Sequence, residues 1–299
     1  MKKKLIGFKI IKSIFAFAVI VSFIFPDSVL FAQDQKKDKD LIKLTIWGRG
    51  IKIQARTDTS GYAYLWFYEW HLFDAVKKGE NTPGSCAWKW TTDERNTIAH
   101  MDAQWLKMSM KATKNGADMT LQITNTSDYD WPEIAAIIPC FNPGGPLGEI
   151  KRNPVFLDKT HENTYFPGLD GLELLKGQHP TEIHFAHEFR PEIMKWKKEQ
   201  PGGNFAFSFK WPNSDRDAYA GLIIRESSDY KWTMGIAWES FISAQGHNPW
   251  TCMHLSIKVG PLAKGQTKTI RGKMYLFKGT KEDCLKYFKN DFPTSALKY

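Results

Sequence analysis

The sequence has little cysteine, and none of it is spaced as zinc ligands usually are. Its 299 residues hold four cysteines, Cys86, Cys140, Cys252 and Cys284, and no CxxC pair occurs among them. Because no cysteine precedes Cys86, a lipid-modified cysteine behind an export signal is excluded. An even set in an exported protein permits disulfides, and the sequence leaves all three possible pairings open.

Basic residues lack the clustering that nucleic-acid binding needs. The chain has 41 Lys plus Arg against 32 Asp plus Glu, a formal net charge of +9. Most lysines are scattered over presumed strand faces and turns, whereas contacts to a phosphate backbone call for a basic stripe. Internal repeats and low-complexity blocks are absent as well. We therefore expect no nucleic-acid partner.

A long apolar stretch occurs only at the start of the chain. Residues 1–32 combine a basic beginning, an apolar middle and a small residue, Ala32, before a charged segment, which is typical of a signal peptide. The alternative is an uncleaved anchor, the one route by which we expect membrane contact. Cleavage after Ala32 removes five lysines and one aspartate and leaves a net charge of +5. We predict a secreted or periplasmic protein, with residues 33–40 as a charged linker.

Aromatic residues are abundant, with 12 Trp, 20 Phe and 10 Tyr. This is more tryptophan than a core usually needs, so we expect part of it to face a ligand. The dominant pattern is period-two alternation, which places successive side chains on opposite faces of a strand. It is clearest in residues 106–112 and 119–123, which flank an Asn115-Gly116 turn suited to a tight hairpin.

Further strands are predicted at 42–46, 51–56, 63–73, 205–211, 218–225, 231–241, 251–259 and 267–277, separated by Gly, Pro, Asn and Asp. The best helical segment is 281–290, which follows a Gly279-Thr280 start. These elements predict an all-β fold, a large antiparallel β-supersandwich with few short helices. We expect residues 41–299 to form a single domain.

One hairpin and the strand after it carry a family resemblance. Residues 114–133, with a Thr-Asn turn at Thr124-Asn125-Thr126, and the following run from Ile138 to Pro143 resemble galactose-mutarotase-like supersandwich proteins. The resemblance is one of pattern over residues 41–280, and it implies a strand that carries residues into a sugar site. The family has a His two residues before a Tyr-Phe-Asn run, where this chain has Ile138 before Cys140-Phe141-Asn142. Ordinary aldose mutarotation is therefore not expected.

Charged side chains alternate along residues 182–190. If this segment is a strand, one face carries Glu182, His184, Glu188 and Arg190. An acid, an imidazole and a guanidinium could bind and protonate a sugar, with Arg190 neutralising a uronate carboxylate. The alternative is a solvated sheet face with charge pairing. His184 and His187 have an HxxH spacing that points to opposite faces of a strand, so we expect no metal site there.

A second candidate lies at the end of the predicted strand 231–241. Its non-apolar face consists of small residues, Thr233, Gly235 and Ala237, followed by Glu239. Small side chains leave room beside a strand, which makes Glu239 a candidate acid or base. The alternative is that this face packs closely against another strand or a loop.

The strand 251–259 carries His254 on its outward face, and the loop before it holds His247 and Trp250. Because that loop connects this strand to the one that ends near Glu239, we expect these four residues to converge at one sheet end. His254, His247, His184 and Glu239 are then the candidate catalytic residues. A purely structural loop is the alternative.

Residues 62–73 read as a strand that is aromatic on both faces. Trp and Tyr rings stack on pyranose faces while their polar tips form hydrogen bonds, so Trp66 and Trp70, with His71, are candidate binding residues. Core packing is the alternative for the aromatic rings. His161 lies in a Pro- and Gly-containing loop, and loops on rigid scaffolds often carry function. A solvated loop histidine is the alternative there.

These features predict a secreted carbohydrate-active protein that binds a sugar or oligosaccharide on its concave sheet face. Trp66, Trp70, His71, His161, Arg190 and Trp250 are its candidate substrate-binding residues. If it is an enzyme, we expect proton transfer at a sugar ring, as in an epimerase or a polysaccharide lyase. The alternatives are a non-catalytic carbohydrate-binding or cell-envelope protein, and a structural interaction module. The sequence does not identify a cofactor, it presents no metal ligand set, and it leaves metal dependence open.

Overall fold

The computed structural model of the chain describes residues 39–48, 50–71, 89–103, 105–143, 163–175, 182–199, 212–246 and 252–296. Within these ranges the strands, in chain order, are β1 (Lys43–Trp47), β2 (Gly50–Gln54), β3 (Tyr62–His71), β4 (Lys89–Thr92), β5 (Ile98–Asp102), β6 (Leu106–Thr113), β7 (Gly116–Thr124), β8 (Ala136–Asn142), β9 (Thr164–Gly168), β10 (Gly171–Leu174), β11 (His184–Phe185), β12 (Leu222–Glu226), β13 (Trp232–Trp238), β14 (Phe241–Gln245), β15 (His254–Lys258) and β16 (Thr267–Lys278). The α-helices are α1 (Arg190–Glu199), α2 (Lys281–Asp291) and α3 (Pro293–Ala296), and a 3-10 helix covers His187–Phe189.

The strands form two antiparallel sheets. Sheet I has the order β1-β2-β3-β8-β15-β14-β11, and sheet II has the order β10-β9-β12-β13-β16-β7-β6-β5-β4. The predicted hairpin is confirmed as β6 and β7, with Thr113 paired to Gly116 across the turn. The prediction of a large antiparallel β-sandwich with few short helices is confirmed.

The main core lies between the two sheets. Alternation buries one face of each strand, so that Leu65 and Leu255 from sheet I join Met119 and Ile236 from sheet II in one apolar cluster. Burial of such side chains, at about 1.5–3 kcal/mol each, is the main force that holds the sheets together. The opposite face of sheet I therefore points away from this core, and we call it the outer face.

Helix α2 covers the small-residue face of β13. A Cβ atom added at Gly235 would lie 3.2 Å from the Cys284 Sγ, and Ala237 packs in the same cluster as Cys284 and Phe288. The room that the sequence predicts beside this strand is thus filled by a helix, which corresponds to the close-packing alternative. The helix itself agrees with the sequence, since it begins at Lys281 directly after Thr280.

The segment 182–190 departs from its prediction as one strand. Only His184 and Phe185 are in β11, and the 3-10 helix and α1 follow directly. The prediction that Glu182, His184 and Arg190 share a strand face is therefore wrong. Short-range alternation of charge fits a helix start as well as a strand, and the pairing of β11 with β14 extends over two residues only.

Among the residues described, no helix is both long enough and apolar enough to cross a lipid bilayer.

Candidate functional site

The outer face of sheet I carries a row of polar and aromatic residues across four adjacent strands. Trp66 on β3 pairs with Cys140 on β8, and His254 on β15 pairs with Gln245 on β14. The register that pairs Phe141 with Met253 places Cys140 across from His254. Residues directly opposite each other share a face of a sheet, so these four side chains form one continuous row.

Hydrogen bonds hold this row in place below the surface. His254 Nδ1 lies 2.8 Å from the Gln245 Oε1, and Asn142 Nδ2 donates to the Cys252 Sγ at 3.3 Å. The side chains of Cys140, Cys252 and His254 are all buried, and their donor atoms lie within 4.8 Å of one another. Two thiols and an imidazole at this spacing form a set that could hold a metal ion.

An arginine with no solvent exposure lies next to this set. The Arg225 Nε donates to Thr164 Oγ1 at 2.7 Å, and the Nη2 donates to the Gly246 carbonyl oxygen at 2.7 Å. Burial lowers the pKa of Arg225 to about 9, and the charge of Cys252 acts in the opposite direction. The guanidinium is therefore a cation at neutral pH, close enough to Cys252 to interact with it electrostatically.

Aromatic rings continue the outer face toward its β1 edge. The Trp47 ring centroid lies 4.7 Å from that of Tyr64 and 5.6 Å from that of Trp66, and Tyr62 meets Tyr64 edge to face at 5.8 Å. Trp66 is only 1% exposed, so its ring packs against its neighbours, as the core-packing alternative holds. Trp47 and Tyr62 keep part of their surface open to solvent.

Two further predicted binding residues follow on β3. Trp70 is in register with Ile138 and His71 with Ile137, beyond an irregularity in the pairing after Trp66. Their side chains lie outside the described part of the structure. His161, His247 and Trp250 also lie outside the described residues, as does Cys86, and the predictions for them stay predictions.

The other half of the outer face is apolar. Ile138, at the position where mutarotases carry a histidine, is fully buried in a cluster beneath α1. The members of this cluster are Ile134, Ala136, Ile138, Ile183, Phe185, Ile193 and Ile242. The chemistry expected of a mutarotase histidine therefore has no counterpart at this position.

His184 lies on the inner side of β11, away from the row. It pairs with Ala244, which belongs to the main core, and its ring centroid lies 4.3 Å from that of Phe166. The Nδ1 lies 3.2 Å from the Arg216 carbonyl oxygen, which accepts a hydrogen bond from it. Burial, followed by the charge of Arg216, lowers the pKa of His184 to about 4. The imidazole is therefore neutral at physiological pH, and its packing is that of a core residue.

A cavity of about 280 Å³ opens at the end of β13, where Glu239 lies. Its walls come from the 3-10 helix, the segment before β12, the β13–β14 turn and α3. The residues that line it are Ala186, His187, Glu188, Ala218, Tyr219, Ala220, Gly221, Glu239, Ser240, Phe241, Thr294 and Ser295. Two carboxylates, an imidazole, hydroxyl groups and two aromatic rings thus surround one space.

His187 is held at this cavity by a carboxylate. Its Nδ1 lies 2.9 Å from the Asp217 Oδ2, and its ring stacks on Tyr219 at 4.5 Å with an interplanar angle of 16°. Asp217 in turn accepts a hydrogen bond from the Arg190 Nε, and the Arg190 Nη2 donates to the Ser214 carbonyl oxygen at 2.7 Å. Arg190 thus fixes the carboxylate that orients the imidazole.

Glu239 is fixed by backbone contacts from the neighbouring strand. Its Oε1 accepts a hydrogen bond from the Arg271 backbone N–H at 2.6 Å, and its own N–H donates to the Arg271 carbonyl oxygen at 3.0 Å. The side chain is exposed. A carboxylate anchored through one oxygen and open to the cavity can accept a proton from a bound molecule.

Glu239 and His254 do not converge, so this part of the predicted site is wrong. Gln245, the partner of His254, ends β14, whereas Glu239 precedes the first residue of β14 by two positions. Six residues of extended chain span about 20 Å. The sequence predicts one strand over 231–241 and the next over 251–259, so it did not show that a separate strand, β14, lies between Glu239 and His254.

Sequence reasoning also missed the His187–Asp217 pair and the Cys140–Cys252–His254 set. The two members of the pair come from segments 30 residues apart, and no local pattern connects them. Part of the Cys140–Cys252–His254 set could have been found from the sequence. Cys252 and His254 are two positions apart on a predicted strand, which puts both side chains on one face.

Known structures with a similar fold belong to the group that the sequence resembles. A galactose mutarotase-like protein from Lactobacillus casei is 12% identical, over 79% of this chain and 97% of that one, with a TM-score of 0.39. A protein provisionally assigned as an aldose 1-epimerase, from Escherichia coli K12, is 10% identical, over 80% of this chain and 99% of that one, with a TM-score of 0.36. These similarities concern the fold alone, and at TM-scores below 0.5 they bear on no residue of the site.

No protein-family model and no curated protein sequence matches the chain.

Proposed function

We propose that this chain is an exported carbohydrate-active protein that binds a sugar in the cavity between Glu239 and His187. The observation that carries the proposal is the meeting of an anchored carboxylate with an imidazole oriented by Asp217 at one cavity. Hydroxyl-rich ligands need several hydrogen-bonding groups beside apolar ring surfaces. Ser240, Thr294 and the rings of Tyr219 and Phe241 would supply them.

The size of the cavity limits the ligand. Pockets for drug-sized ligands measure about 300–1,000 Å³, and this one, at about 280 Å³, lies just below that range. It suits a single sugar residue, either a free monosaccharide or the end of a chain. The proposal therefore favours chemistry on one ring over cleavage within a long polysaccharide groove.

The chemistry we infer is proton transfer at a sugar ring. Glu239 would remove a proton, and His187, oriented by Asp217, would donate one, so that the substrate gains as many protons as it loses. In an epimerase the donated proton reaches the same carbon atom from the opposite face of the ring. In a lyase it goes to the oxygen that leaves as a carbon–carbon double bond forms.

A second candidate is non-catalytic carbohydrate binding. It is supported by the Trp47–Tyr62–Tyr64 cluster, whose two outer rings are partly exposed at the edge of sheet I. In this case a saccharide would stack on the edge rings and no turnover would follow. Loss of binding in Trp47→Ala, with binding retained in Glu239→Gln, would favour this reading.

The test of the catalytic proposal is a turnover screen of monosaccharides and uronic-acid saccharides with the mature chain. Ultraviolet absorbance detects an unsaturated lyase product, and NMR detects epimer or anomer exchange. We expect Glu239→Gln and His187→Gln to lower the rate at least about 100-fold, the usual contribution of general acid–base catalysis. Glu94→Gln and His100→Gln, at exposed positions, are the matched controls. Unchanged turnover in Glu239→Gln would overturn the site.

Export is the remaining part of the proposal, and it rests on residues 1–32. N-terminal sequencing of the protein recovered outside the cytoplasm should give a chain that begins at Gln33. A chain that keeps residues 1–32 and stays with the membrane would show an uncleaved anchor instead.

A further inference from the structure

Backbone geometry brings two thiols and an imidazole together on the outer face of sheet I. His254 is the first residue of β15, and Cys252 lies two positions before it, on the other side of Met253, which still pairs with Phe141. In this extended segment both side chains point to the same side. The antiparallel register with β8 then sets Cys140 directly across from His254. The donor atoms of the three residues lie within 4.8 Å of one another, and all three side chains are buried.

This spacing is close to that of a metal site. With metal–sulfur bonds of about 2.3 Å in a trigonal arrangement, two sulfur atoms lie about 4 Å apart. The donor atoms would therefore need to approach one another by under about 1 Å to bind one ion. A disulfide fits less well. Cys140 lies diagonally opposite Cys252, and diagonal neighbours have Cα atoms about 7–8 Å apart, beyond the usual disulfide range of about 4.4–6.8 Å.

The surroundings orient the histidine for coordination. The Gln245 Oε1 can only accept a hydrogen bond, so His254 Nδ1, at 2.8 Å, carries the proton. In the neutral ring the Nε2 is then the nitrogen with a lone pair. Histidines that bind metals are commonly fixed in this way, through the ring nitrogen that does not bind the ion.

Two polar groups lie near Cys252. Asn142 Nδ2 donates a hydrogen bond to the sulfur at 3.3 Å, and the fully buried Arg225 guanidinium provides a positive charge nearby. Two thiolates with Cu⁺ carry a net charge of −1, which the guanidinium would offset, and two thiolates with Zn²⁺ are neutral. Either ion is therefore compatible with the charges of the site.

We propose that Cys140, Cys252 and His254 bind one thiophilic metal ion, Cu⁺ or Zn²⁺, at this position. The site is distinct from the cavity at Glu239, since β14 separates the two. The proposal therefore goes beyond carbohydrate binding, and it can fail or succeed independently of it.

The test is metal titration of the full mature chain after reduction and removal of metal. Zn²⁺ is added in competition with a chromophoric chelator, and Cu⁺ is added without oxygen in competition with a Cu⁺-specific chelator. Co²⁺, used as a probe for the zinc site, should give thiolate charge-transfer absorption. We expect one equivalent of one of the two ions to bind. The titration that shows the tighter binding identifies the ion.

Matched variants locate the site. Cys140→Ser and Cys252→Ser should each weaken binding at least about 100-fold, because each removes a ligand. Gln245→Leu should weaken it by about 10–100-fold, as outer partners of metal ligands do. Cys284→Ser, at a thiol on the buried face of α2 in a separate cluster, should leave binding unchanged. Circular dichroism would confirm that each variant is folded.

Three results would overturn the proposal. One is the absence of stoichiometric binding of either ion to the folded, reduced protein. A second is equal binding in Cys284→Ser and Cys252→Ser, which would show that the metal binds elsewhere. A Cys140–Cys252 disulfide found by mass spectrometry in the exported protein, and resistant to reduction while folded, would also overturn it.

Discussion

Two histidines three positions apart have opposite environments. His184 is 1% exposed and packs on Phe166, whereas His187 is 57% exposed and pairs with Asp217. The change from strand to 3-10 helix between them turns one side chain into the core and the other toward the cavity. The HxxH spacing alone could not show this, because it assumes one regular element throughout.

His184 should make the stability of the protein depend on pH. Its pKa is about 4 in the folded protein and about 6.5 in an unfolded chain. As the pH falls from 6.5 toward 4, the unfolded chain takes up a proton that the folded one does not, so stability is lost over this window. The loss is at most about 3 kcal/mol.

The variant His184→Gln, which keeps a donor for the Arg216 carbonyl oxygen, should flatten this dependence. Urea denaturation at pH 7 and pH 4.5 measures it as the difference between two free energies of unfolding. The exposed His100→Gln is the control and should behave like the original chain. An equal loss in His184→Gln and in the original chain would contradict the assignment.

At the scale of elements, the regular strands were the most predictable part. The segments 106–112 and 119–123 flank Asn115-Gly116, and the structure shows them as β6 and β7 with this turn between them. Every side chain that alternation turned inward from Leu106 to Ala112 is buried. Local information was sufficient here because one face meets the core and the other meets solvent.

Strands covered on both faces were harder to interpret. Every residue of β13 and of β14 is buried, so alternation of polarity fades. The predicted strand 231–241 therefore runs through the break after Trp238, and β14 is not predicted as a strand of its own. The break after Trp238 is what takes Glu239 to the far end of β14 from His254. Tertiary packing, including that of α2 on β13, therefore decided which predicted residues meet.

Helix α2 provides a prediction at this scale. Thr280 and Asp283 form a capping box, in which the Thr280 side chain accepts from the Asp283 N–H and Asp283 Oδ2 accepts from the Thr280 N–H at 3.0 Å. Thr280→Ala should lower the free energy of unfolding by about 1 kcal/mol, because it leaves a helix N–H without its cap.

Chemical denaturation measures this change, and Thr280→Ser, which keeps the hydroxyl group, is the matched control. The serine variant should stay within about 0.5 kcal/mol of the original chain. Equal stability of the alanine and serine variants would show that the cap contributes nothing to holding α2 on sheet II.

For the whole molecule, the two sheets provide two separate polar sites. The cavity at Glu239 lies where β13, the 3-10 helix and α3 meet, and the Cys140–Cys252–His254 set lies beyond β14 on the outer face. The sequence indicated a sugar ligand through its aromatic excess and its family resemblance. It could not separate the two sites, since their members come from segments far apart in the chain.

The central claim is that a sugar binds in the cavity between Glu239 and His187. Saturation-transfer NMR of the mature chain with a panel of monosaccharides and uronic acids measures this most directly. We expect transfer to at least one sugar, lost or strongly reduced in Glu239→Gln and retained in Glu94→Gln. Transfer that is equal in all three proteins, or absent for every sugar while the protein is folded, would contradict the claim.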